Sequence, residues 1–178
     1  MKIKQFTLKA LTALFALSLL SLSSCKKDDD DDSSSATPAP TPAPTPTKKE
    51  LLTGKYWKVT DMTVSPAYEV SPGVFITDYY STLSACSKDN VTFYTSNGEY
   101  VTNEGAIKCN LSDPQTVSGT WNFNTPETIL TAYQSGTPVG VTIGGDYTLI
   151  QLNATTLKYQ QTMNIGTVYT FTTTLSKQ

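Results

Sequence analysis

Val91-Thr92-Phe93-Tyr94-Thr95-Ser96-Asn97-Gly98-Glu99-Tyr100-Val101-Thr102 reads as two strands folded back on one another. β-Branched and aromatic residues fill both flanks. Asn97-Gly98, between Phe93 and Tyr100, is a two-residue hairpin signal because both residues tolerate positive φ. From Leu51 onward the same pattern recurs, with Thr, Val, Tyr, Ile and Phe punctuated by Gly, Asn, Asp and Pro at intervals near ten residues. The expected strands are Lys55–Val64, Val91–Thr95, Tyr100–Ala106, Val117–Asn124, Thr128–Tyr133, Val139–Ile143 running on to Tyr147–Leu152, Thr156–Met163 and Thr167–Leu175. Eight strands in so short a span suffice to close a small antiparallel, all-β barrel.

Turn chemistry supports the individual connections. Asn124-Thr125-Pro126-Glu127 ends one strand and Asn164-Ile165-Gly166 separates the last two, while Gly144-Gly145-Asp146 is either a turn or a bulge within one long bent strand. Ser65 to Asn90 is the least regular stretch. Val74-Phe75-Ile76 is compatible with a short strand there, Tyr79 to Cys86 with a single helical turn, and this segment alone could supply a lid or plug.

Alternation assigns faces. Trp121 and Phe123 share one side, as do Leu157, Tyr159, Gln161 and Met163, and as do Tyr169, Phe171, Thr173 and Leu175. The opposite faces carry Thr, Asn, Lys and Gln, so one side is expected buried and the other wet. Trp57, Phe93, Trp121, Phe123, Tyr159 and Phe171 are the candidates for the interior. Alternation leaves open whether that interior is a packed core or a ligand cavity.

The chain contains no histidine, and no arginine occurs among its 13 basic residues. Serine–histidine and cysteine–histidine nucleophile systems, histidine-ligated zinc and histidine acid–base chemistry are therefore excluded. Within residues 51–178 six lysines face nine carboxylates, a balance unsuited to nucleic acid. Those carboxylates are spread singly along the chain, and no catalytic pair can be nominated among them. The expectation is a protein that is not an enzyme and carries no cofactor or metal.

The first half-hundred residues speak of location. Lys2, Lys4 and Lys9 precede an apolar segment from Ala10 to Leu22, shorter than the roughly 20 residues that span a bilayer. Leu22-Ser23-Ser24-Cys25 resembles a bacterial lipoprotein box, which implies cleavage of residues 1–24 and lipidation of Cys25. Lys26-Lys27-Asp28-Asp29, within a run of aspartates to Asp32, resembles the export tag of surface lipoproteins in the Bacteroidetes. Residues 25–50 are then tag plus stalk, because the alternating prolines from Ser33 to Thr47 favour extended polyproline II at about 3.1 Å per residue. The membrane would be reached through the lipid, at the outer membrane and on the cell surface. In an exported chain Cys86 and Cys109 are expected to be bonded to each other, since they flank the paired strands of the opening hairpin.

Residues 51–178 form one domain in this reading. Leu51-Leu52-Thr53-Gly54-Lys55-Tyr56-Trp57-Lys58-Val59, Ala85-Cys86-Ser87-Lys88-Asp89-Asn90-Val91-Thr92-Phe93, Asn97-Gly98-Glu99-Tyr100, Asn103-Glu104-Gly105-Ala106-Ile107-Lys108-Cys109 and Gly119-Thr120-Trp121-Asn122-Phe123 occur in it in order. Together they resemble the lipocalin-like domains of Bacteroidetes lipoproteins. The resemblance implies an up-and-down barrel of about eight strands and a disulfide joining Cys86 to Cys109. Lipocalins proper carry Gly-x-Trp on the first strand and an arginine near the last; here the spacing is Gly54-x-x-Trp57 and the arginine is missing, so the fold is implied more directly than ligand carriage. The expected role is a surface-anchored binding lipoprotein for a small hydrophobic or amphipathic ligand. The alternative is a structural or protein-interaction module with a filled barrel.

Overall fold

The computed structural model describes residues 43–136 and 144–178. Cys25, Lys26, Lys27, Asp28, Asp29, the leader and most of the proline run lie outside the described residues, as does the expected strand Val139–Ile143. A short helix, α1 (Lys48–Leu52), precedes β1 (Tyr56–Ser71), β2 (Val74–Asp78), a second short helix α2 (Ala85–Lys88), β3 (Val91–Tyr94), β4 (Glu99–Asn103), β5 (Thr116–Phe123), β6 (Ile129–Gln134), β7 (Gly144–Leu152), β8 (Thr156–Asn164) and β9 (Val168–Lys177). Every pairing is antiparallel, in the order β2-β1-β3-β4-β5-β6-β7-β8-β9, and β9 returns to pair with β1. Eight strands, β1 and β3 to β9, therefore close an up-and-down barrel, and β2 is a ninth strand added to the free length of β1.

β1 runs well past the expected end at Val64. Its first residues, Tyr56 to Lys58, pair with β3 on one side, and Trp57 to Ser65 pair with β9 on the other. Pro66 has no N–H to offer a ladder. Pairing with β9 stops at Ser65, the register toward β2 shifts between Thr63 and Tyr68, and the strand continues as an arm hairpinned to β2. The Val74-Phe75-Ile76 stretch is thus a strand. Tyr79 to Cys86 forms a 3-10 turn at Tyr80–Thr82 and, after a break at Leu83, the start of α2. The Gly144-Gly145-Asp146 stretch is strand, with all three residues laddered to β6.

One end of the barrel is closed by α1, and with it Lys48 to Glu50, expected in the stalk, belong to the folded domain. Thr47 and Glu50 cap the helix reciprocally, the Thr47 hydroxyl accepting from the Glu50 N–H and the Glu50 carboxylate from the Thr47 N–H. The Thr47 N–H and the Thr47 hydroxyl both donate to the Glu50 carboxylate and hold that carboxyl below its ordinary value. The helix delivers Leu52 into the barrel, where the Trp57 indole N–H donates to its carbonyl at 2.8 Å. Leu52, Trp57, Leu130 and Leu157 are fully buried and, with Tyr94, Trp121, Ala132 and Leu175, make the core of this end.

The hairpin that opens the sequence reading has a different register from the expected one. Tyr94 faces Tyr100 and Phe93 faces Val101, so the connection is Ser96-Asn97-Gly98, three residues long, with Gly98 alone at positive φ (90°). Three-residue loops that end on a left-handed glycine are the next preferred class after the two-residue turns. One residue of register reverses the faces. Phe93, expected inside the barrel, lies on its outside against Tyr56, ring centroids 5.0 Å apart, and Tyr94 takes the interior place.

Candidate functional site

At the end away from α1, three segments surround the barrel rim and two of them are clasped together. Cys86 in α2 is bonded to Cys109 in the β4–β5 connection, Cα atoms 5.1 Å apart. Asp89 Oδ2 accepts from the N–H groups of Ala106 and Ile107, both at 2.9 Å. With its amide nitrogen turned toward both carbonyls, Asn90 donates to Cys86 at 2.9 Å and Glu104 at 3.2 Å. The Cys-x-x-Asp-Asn motif is thus a structural clasp that ties the irregular segment to the hairpin. The third segment is the β1–β2 arm, whose Tyr68 packs edge-on against Tyr79 and Tyr169, with Tyr79 in turn edge-on to Phe171 at 5.2 Å.

Inside this rim the barrel is hollow. A mouth of about 300 Å³ is bounded by Met62, Tyr68, Tyr79, Tyr147, Tyr159, Gln161, Met163, Ile165, Phe171 and Thr173. Deeper lies a chamber of about 150 Å³ bounded by Thr92, Tyr94, Tyr100, Thr102, Ala132, Tyr147 and Tyr159. Tyr147 and Tyr159, ring centroids 4.7 Å apart, line both spaces. Small residues make the room. A Cβ on Gly119 of β5 would meet the Tyr100 ring at 2.4 Å and the Tyr133 carbonyl at 2.2 Å, so this position admits only glycine.

Among the described residues no charged side chain lines either space. Tyr94, Tyr100, Tyr147 and Tyr159 come from β3, β4, β7 and β8 and bring four phenols to one region. Burial pushes the Tyr94 hydroxyl well above its ordinary ionisation range, with repulsion from Tyr159, Tyr147 and Tyr100 adding to it. Burial likewise raises Tyr100, raises Tyr147 together with its neighbours Tyr100 and Tyr133, and raises Tyr159 together with Tyr147, while the Thr173 hydroxyl opposite Tyr159 pulls the other way. All four are neutral at physiological pH and able both to donate and to accept.

The expected interior residues fall into three groups. Tyr159 and Phe171 line the cavity. Trp57, Trp121 and Phe123 lie at the closed end: the Trp121 indole donates to the carbonyls of Thr95 and Glu99 and its ring meets Phe123 edge-on at 5.5 Å. Phe93 is outside. Tyr68, Tyr79, Tyr94, Tyr100 and Tyr147 were not among the expected residues. The Tyr94–Tyr100 pair becomes legible once the loop is taken as three residues, whereas Tyr68 and Tyr79 sit in the segment whose pattern is least regular. A larger hollow, about 490 Å³, lies outside the barrel between α1 and the Asn97-Gly98 turn, with Trp121 and Phe123 at its floor. Lys49, Ser96, Asn97, Asn122 and Glu127 make it a mainly polar surface groove, whereas the barrel cavity is walled chiefly by aromatic and apolar side chains and is the stronger candidate site.

Among the described residues no three potential metal-ligating side chains cluster, and no helix is long and apolar enough to cross a membrane. No protein-family model matches the chain. No curated protein matches it either.

Proposed function

We propose that this chain is a lipid-anchored lipoprotein of the outer membrane, displayed on the cell surface, whose barrel binds a small amphipathic ligand through its open end. The observation that carries the binding half is the division of the interior. The α1 end is filled by Leu52, Trp57, Leu130 and Leu157, while the opposite half encloses the mouth and inner chamber. A barrel that served only as a scaffold gains stability from filling that space, because each unfilled volume forfeits packing. The anchoring half rests on Cys25 behind its apolar leader and on the Lys26-Lys27-Asp28-Asp29 run, together with the resemblance to lipocalin-like lipoproteins. Native mass spectrometry of the protein taken from its own membranes tests the reading. A small molecule retained by the folded chain is the expected result, and a bare lipidated polypeptide would argue against ligand carriage.

A specific observation favours a second role. Phe75 on β2 is 61% exposed and Leu111 in the disulfide-bearing connection 88%, with Val74 and Ile107 on the same segments and Val70 near the end of β1 also exposed. Apolar residues so presented suit contact with another protein of the envelope. Crosslinking from Phe75 and Leu111 on intact cells distinguishes this role, since a ligand carrier without partners yields no adduct there.

A further inference from the structure

Resting on the reading of the barrel as a ligand carrier, we propose that the ligand is an uncharged amphiphile held head inward. Its hydroxyl- or carbonyl-bearing group sits among the phenols of the inner chamber and its apolar body in the mouth. The two spaces differ in chemistry. Six of the seven residues around the inner chamber, Thr92, Tyr94, Tyr100, Thr102, Tyr147 and Tyr159, end in or carry a hydroxyl. The mouth is dominated by rings, thioethers and an isoleucine, with Gln161 and Thr173 as its non-phenolic polar groups.

Half of the six hydroxyls of the inner chamber, those of Tyr94, Tyr100 and Tyr147, have no protein partner among the described residues. Thr92 and Thr102 bond each other at 2.9 Å, which uses one of their two donors. Tyr94 is only 7% exposed, yet among the described residues neither its hydroxyl nor those of Tyr100 and Tyr147 donates to a protein acceptor. Phenols that border the cavity without a protein partner are left to water or to a guest, so this set suits guest atoms that both accept and donate. Water can serve in the empty protein, with several molecules fitting at about 30 Å³ each. A guest hydroxyl or carbonyl replaces them without loss of hydrogen bonds.

Charge decides which heads are refused. A carboxylate or phosphate in this chamber meets no lysine, and arginine and histidine do not occur in the chain, so its desolvation goes uncompensated. A cationic head meets no carboxylate among the described residues of either space. Several of the mouth's rings already pack edge to face with one another, Tyr68 with Tyr79 and Tyr169, and Tyr79 with Phe171, which reduces the ring face open to a cation. Head inward is preferred over tail inward because an alkyl chain in the chamber would strand the phenols, while the mouth offers the apolar contact.

The test uses the full chain and three probes of equal chain length, 1-decanol, decanoate and decyltrimethylammonium, titrated by calorimetry at neutral pH. Binding of decanol at least about ten-fold tighter than either ion is expected, a ratio that corresponds to about 1.4 kcal/mol. Equal or tighter binding of decanoate or of the ammonium overturns the neutral-head assignment while leaving the barrel as a binding site. Binding of none of the three overturns both. Tyr100→Phe and Tyr147→Phe, which remove a hydroxyl at nearly constant volume, should each weaken decanol by about three- to ten-fold, the size of one net hydrogen bond. Tyr56→Phe, altered outside the barrel, should leave it unchanged. Unaltered decanol affinity in both cavity variants would overturn the head-inward placement.

Discussion

Trp121 shows how much a single side chain holds at the closed end of the barrel. Its indole N–H reaches the Thr95 and Glu99 carbonyls that flank the Ser96-Asn97-Gly98 loop, and its ring meets Tyr94 and Phe123 edge-on. Trp121→Ala is expected to destabilise the domain by about 3–5 kcal/mol, read as a lowered urea midpoint, because it leaves a cavity and removes the indole's hydrogen bonds to both carbonyls. Phe93→Ala should cost distinctly less, since Phe93 packs against Tyr56 on the outer face and Tyr56 is itself 53% exposed. Equal losses from the two variants would place Phe93 inside after all. The contrast also marks a limit of local reading. Alternation identified Trp121 and Phe123 as one face because both lie on a single strand, but Phe93 needed the loop length, which Asn97-Gly98 leaves ambiguous between a two-residue turn and a three-residue loop ending on a left-handed glycine.

At the scale of elements, the irregular segment is held in place by side-chain chemistry. The Cys86–Cys109 bond closes a chain separation of 23 residues, and constraining that loop in the unfolded state stabilises the fold by about 3 kcal/mol on the chain-entropy model. A Cys86→Ser, Cys109→Ser protein is expected to unfold at lower urea by about this amount, and reductant should shift the parent in the same direction but leave the double variant unmoved. A parent insensitive to reductant would contradict the bond's contribution. Cysteine spacing and the flanking hairpin were enough to expect the pairing. They said nothing of the Asp89 and Asn90 bonds beside it, because those depend on where the backbone of Ala106, Ile107 and Glu104 travels after β4. The extension of β1 past Pro66 was hidden for a related reason. A proline argues against a strand locally, and only the partner β2 makes continuation worthwhile.

For the whole molecule, the buried phenols make alkali a probe of the interior. Tyr94, Tyr100, Tyr147 and Tyr159 are all raised in the folded state by burial. In the unfolded chain each releases its proton near pH 10, about the ordinary phenol value, while the folded barrel still holds it. The unfolded state then binds fewer protons, so stability is full below about pH 10 and declines as the pH rises beyond it. Tyr94 and Tyr159, the deepest of them, should accordingly ionise only as the barrel opens, seen as a late, cooperative step in phenolate absorbance after the other tyrosines of the ten. A single smooth titration of all ten in the folded protein would contradict the cavity. Anchorage is tested separately: Cys25→Ala should abolish incorporation of a fatty-acid analogue and leave the chain unprocessed or released as a soluble species, whereas label retained by the variant would refute lipidation at that residue.

Turn residues, strand alternation, the two domain cysteines and the total lack of histidine and arginine were enough to define an all-β chain, its approximate strand number, its disulfide and the chemistries closed to it. These properties are local or compositional, so neighbouring residues carry them. The hollow half of the barrel is of another kind. It arises where Tyr94, Tyr100, Tyr147 and Tyr159 converge from four different strands, where Gly119 yields its volume to the Tyr100 ring, and where the β1–β2 arm brings Tyr68 to the rim. Side chains point into a shared space only after register and closure bring distant strands together, and a shift of one residue in a single loop reverses which of them arrive.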